Sequence, residues 1–70
     1  MRNTMKENIA LISLESNLKT FKARFKECSQ MYKALKNKTS SYAMQVAFMV
    51  GYYNTLIEIT NESIKKMMNE

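Results

Sequence analysis

Lys36-Asn37-Lys38-Thr39-Ser40-Ser41 interrupts a chain that otherwise reads as two long helical patterns. Short polar side chains of this kind compete with the backbone for its own hydrogen bonds, so they stop one helix and cap the next. Asn37 or Lys38 is the expected stop. Thr39, Ser40 and Ser41 are all competent N-caps, and the sequence does not choose among them. A connection this short folds two helices back on each other as an antiparallel hairpin.

Before the break, Leu11, Leu14, Leu18, Phe21, Phe25, Cys28, Tyr32 and Leu35 follow one another at alternating spacings of three and four. That rhythm holds one apolar seam against a neighbour over more than three heptads. Thr4-Met5-Lys6-Glu7 has the form of a capping box, which places the helix start at Thr4. Glu15 and Lys19 are spaced for an i,i+4 ion pair on the flank. The first helix is therefore expected over about residues 4–36, with the connection at 37–41.

The second pattern, over about 42–68, carries no charge from Thr39 to Ile57. At 100° per residue Val46, Met49, Val50, Tyr53, Leu56, Ile57, Ile64, Met67 and Met68 share one arc, the face expected to meet helix 1. Glu58, Glu62, Lys65 and Lys66 fall on the other side, with Glu62 and Lys66 at i,i+4 spacing. The first half of that other side is apolar instead: Met44, Phe48 and Tyr52, with Ala43, Ala47 and Gly51 beside them. Small residues every fourth position let two helix backbones come close. Helix 1 has a second off-seam patch at Met5, Ile9 and Ile12.

The fold class predicted is all-α: one helical-hairpin domain. Absence of proline and a single glycine among 70 residues argue against a turn-rich β fold. A core of this size is marginal and needs a staple. One cysteine cannot make an intrachain disulfide, and without histidine no zinc ligand set is expected. Self-association is the route left. In an antiparallel hairpin the Met5-Ile9-Ile12 and Met44-Phe48-Tyr52 patches lie at opposite ends, so two hairpins head to tail about a two-fold axis cover both. The expected assembly is a homodimeric four-helix bundle, with Met5, Ile9, Ile12, Met44, Ala47, Phe48, Gly51 and Tyr52 as its protein-contact residues, or as the site of another protein.

Charge points to a second surface. The net charge is +5, and residues 1–38 hold nine of the eleven basic groups. Lys19, Lys22, Lys26, Lys33 and Lys36 project on one flank of helix 1, an arrangement that can meet phosphates or an acidic partner. Lysine in place of arginine argues against bidentate base reading. Phe21 and Phe25 belong to the seam and are not expected to stack on bases.

Catalysis is not expected. The commonest general acid–base residue, histidine, is absent. Glu58 and Glu62 lie one turn apart as solvated surface carboxylates, and Cys28 sits in the seam as a small hydrophobe. No catalytic, cofactor-binding or metal-binding residue is assigned, and no cofactor is implied. The uncharged stretch is long enough to raise a membrane span, but Ser40, Ser41, Gln45, Asn54 and Thr55 make its hydropathy modest, so none is expected. Asn37-Lys38-Thr39 and Asn61-Glu62-Ser63 match the glycosylation pattern by coincidence, given an expected cytoplasmic location. The functional expectation is a small non-enzymatic regulator, of a kind that suits a phage or mobile element. It would bind itself and a larger protein or nucleoprotein; the alternative is phosphate binding through the lysine stripe.

Overall fold

The computed structural model describes residues 4–69, with side chains from residue 8 onward. Two helices, α1 (Thr4–Ala34) and α2 (Ser41–Met68), pack against each other as an antiparallel hairpin, a rod 57 Å long and 14 Å across in both other directions. Expected and observed architecture agree at this level.

The α1 seam is the one read from the spacing. Leu11, Leu14, Leu18, Phe21, Phe25, Tyr32 and Leu35 are half-buried and Cys28 is buried. The Phe21 and Tyr53 rings meet across the two helices with centroids 6.5 Å apart. The α2 seam differs from the expected arc. Ala43 and Val46 are the most enclosed apolar residues, at 0% and 1% exposure, and Thr60 is buried as well. With Val50, Tyr53, Ile57, Ile64 and Met67 half-buried between and beyond them, the α2 seam is 43, 46, 50, 53, 57, 60, 64 and 67. This is again an alternation of three and four. Ala43 therefore faces α1 and does not belong to a small-residue file on the far side. Met49 and Met68, assigned to the hairpin face by their hydrophobicity, are exposed, at 40% and 71%. Leu56 is half-buried at the seam's edge. Thr60 fits an apolar seam because its hydroxyl donates to the Leu56 carbonyl at 2.7 Å, leaving only its methyl to be covered.

α1 stops at Ala34, two residues before the expected Lys36. Leu35 N–H bonds the Tyr32 carbonyl at 3.2 Å, tightening the last turn. The Asn37 side-chain oxygen then accepts from both the Thr39 N–H (2.9 Å) and the Thr39 hydroxyl (2.7 Å), which folds residues 37–39 out of the helix. Lys38 closes the helix end: its ammonium donates to the Leu35 carbonyl at 2.9 Å and lies 5.2 Å from the Tyr32 ring centroid. Of the three N-cap candidates Ser40 is the one used. Its backbone is extended, and its hydroxyl accepts from the Ala43 N–H at 3.1 Å. The capping box Thr4-Met5-Lys6-Glu7 involves side chains outside the described residues.

The flanking ion pairs also differ. Among the described residues the ion pair formed is Arg24–Glu27, at 3.5 Å, and the expected Glu15–Lys19 and Glu62–Lys66 pairs are not made. Glu58 instead accepts a hydrogen bond from Asn54 at 3.4 Å. Exposed pairs of this type contribute about 0.3–0.5 kcal/mol, so the exchange leaves the fold unaffected.

Candidate functional site

An antiparallel pair of helices has two flanks, and the sequence sorts residues between them by a simple rule. Each residue advances about 100° around its helix, and the two helices run in opposite directions. The residues that follow each seam position therefore project on one flank of the hairpin, and the residues that precede each seam position project on the other.

On the first flank lie Lys19, Lys22, Lys26 and Lys33 of α1, all exposed; Lys36, expected to continue the row, is exposed in the connection beyond the end of α1 at Ala34. Ala47 and Gly51 of α2 follow their seam positions and share that side. A groove lined by Ser29, Tyr32, Lys33, Ala47 and Val50 confirms the pairing of flanks directly. The lysine stripe thus shares one side of the rod with Ala47 and Gly51 of α2.

The second flank is of opposite character. Tyr42, Met49, Tyr52 and Ile59 precede the seam positions of α2, and all four are exposed. The Tyr52 ring stands edge-on to Tyr53, centroids 5.2 Å apart, which ties the exposed row to the buried one. The neighbouring flank of α1 carries Ser13, Asn17, Thr20, Met31 and Ala34, and its two charges, Arg24 and Glu27, neutralise each other.

The residues expected to contact protein are distributed over these surfaces. Tyr52 lies on the uncharged flank. Met44, Ala47 and Gly51 lie toward the lysine flank, and Phe48, the most exposed large apolar residue at 76%, is on the back of α2 between them. Ile9 and Ile12 are exposed near the start of α1, and Met5 falls outside the described side chains. A side chain built on Gly51 would meet nothing within 4 Å, so within the hairpin no backbone approaches it. Ile59 was not singled out by the sequence reading. Its signal was the seven-residue interval from Tyr52, which repeats the interval from Gln45.

Cys28, enclosed by the seam, is unsuited to act as an exposed nucleophile. No described helix is long and apolar enough to cross a membrane. Comparison with protein families, curated proteins and solved structures found no match to this chain.

Proposed function

We propose that this chain is a non-enzymatic interaction protein. Its hairpin assembles with a second copy as a four-helix bundle and regulates by occupying a surface of a larger protein or nucleoprotein, in the manner of a small phage or mobile-element regulator acting in the cytoplasm. The observation that supports this reading is the amount of large apolar surface outside the completed hairpin seam. Phe48, Met44 and Ile59 are 76%, 66% and 56% exposed, and the total accessible surface of the chain, polar and apolar together, is 5781 Å². A compact monomer of 8.2 kDa is expected to expose roughly 4,500 Å². Aromatic and methionine side chains on that excess surface are of the types that carry binding energy. A pre-formed helix pair also loses little conformational entropy on docking. Affinity capture from the native host, with and without nuclease, tests the reading. A nuclease-resistant protein partner that Phe48→Glu releases is the expected result; no retained partner, or loss of every partner after nuclease, overturns it.

A second reading, phosphate binding through Lys19, Lys22, Lys26, Lys33 and Lys36, is favoured by the exposure of the first four along a single flank of α1, with Lys36 exposed just beyond its end. Five phosphate contacts would lower affinity for duplex DNA by about 500-fold between 50 and 200 mM salt. A titration showing no salt dependence rejects it.

A further inference from the structure

α2 carries two apolar seams. Beside the one that faces α1, and displaced from it by a single residue throughout, runs Tyr42, Gln45, Met49, Tyr52, Leu56, Ile59 and Ser63, again at alternating spacings of three and four. From Tyr42 to Ser63 this second row contains no charge, and the next position is Lys66. It faces about 100° from the first, near the right angle at which a helix in a square four-helix bundle meets its second neighbour. Tyr42, Met49, Tyr52 and Ile59 in it are exposed, so the hairpin alone leaves it open. α1 has no equivalent: the corresponding row is Ala10, Ser13, Asn17, Thr20, Arg24, Glu27, Met31 and Ala34.

We propose that this second seam is the self-association surface, and that its occupant is α2 of a second copy, antiparallel about a two-fold axis passing beside Tyr52. The inference rests on the bundle reading above and specifies its contact. Two observations point to a second copy. The seam is centred on Tyr52, so a two-fold there places Met49 of one copy against Leu56 of the other and Gln45 against Ile59. The centre of the row, Met49, Tyr52 and Leu56, thus meets its own copy apolar on apolar. The size also fits. Over its whole length the rod exposes about 1,300 Å² more than a compact monomer, enough to accommodate the roughly 800 Å² per partner of a standard interface. In this arrangement the flanks that carry Tyr52 meet, and both lysine stripes remain on the outside.

Light scattering on the full chain at micromolar concentration, combined with cysteine cross-linking, tests this. The expected mass is twice 8.2 kDa. Tyr52→Cys, oxidised with copper phenanthroline, should give a disulfide-linked dimer that mass spectrometry maps to 52–52, whereas Ala47→Cys, on the lysine flank, should not cross-link. Ile59→Glu should return the mass to 8.2 kDa while Lys65→Glu leaves it doubled. A doubled mass with cross-linking through Ala47→Cys but not Tyr52→Cys overturns the assigned seam and leaves the bundle reading standing. A single-chain mass for the unmodified protein overturns both.

Discussion

Replacing Gly51 by alanine should make this protein more stable. Gly51 lies well inside α2, its φ is not positive, and a Cβ there would meet no atom within 4 Å. Alanine can therefore take the same backbone without strain, and the hydrogen bond from the Thr55 hydroxyl to the Gly51 carbonyl, 3.0 Å, is kept. What changes is the unfolded chain, which loses conformational freedom, and the helix, which gains a better former. The expected gain is about 0.8–1 kcal/mol. For a domain of this size that is a rise in Tm of about 4–8 °C. Circular dichroism at 222 nm through a thermal ramp measures it, at matched protein concentration because an assembling chain has a concentration-dependent Tm. A lower Tm, or a fall in assembly, refutes the reasoning. It would mean that another backbone lies against Gly51, as a close-approach ridge of Ala47 and Gly51 would require, and that the lysine-side flank of α2 is the covered one.

Val46→Ala removes the largest fully buried side chain and should cost about 2 kcal/mol in urea unfolding; a loss below about 0.5 kcal/mol would contradict its enclosure. Ser40→Ala deletes the acceptor for the Ala43 amide and should cost about 1 kcal/mol, with faster hydrogen exchange confined to the start of α2. Unchanged exchange at Ala43 would show that Ser40 is not the cap. Cys28 should react with a thiol reagent at least about tenfold slower in the native protein than in denaturant, because reaction needs the helices to part; equal rates would place it outside the seam.

The α1 seam was legible because every member is a large apolar residue or cysteine and, Ile9, Ile12 and Met31 apart, few large apolar residues lie off it, so the alternation stands out. The α2 seam was only partly legible. Two of its enclosed members, Ala43 and Thr60, are small or polar, while the exposed Met49 and Met68 are large and apolar, and hydrophobicity alone ranks them the wrong way round. Two parallel seams one residue apart also blur the helical period, since together they spread apolar residues over more than half the circumference. Where α1 ends was decided by the Asn37 side chain folding onto Thr39 and by Lys38 reaching back to Leu35, choices among several compatible turns that spacing does not fix. The lysine stripe was readable, because lysines at helical spacing stay on the surface. Its opposition to the uncharged flank was not, because that needs the two helices placed side by side.

Burial is graded along the rod. Among the described residues, Cys28, Ala43 and Val46 cluster at the connected end, and of those buried only Thr60 lies toward the free ends. Contacts next to the bend close a short loop, while those joining the start of α1 to the end of α2 close nearly the whole chain. Folding should then proceed as a zipper from the bend outward, and thermal fluctuations should reopen it from the opposite tip. Those tips are the cheapest place for a larger molecule to pry the two rods apart or to trade one of them for a helix of its own.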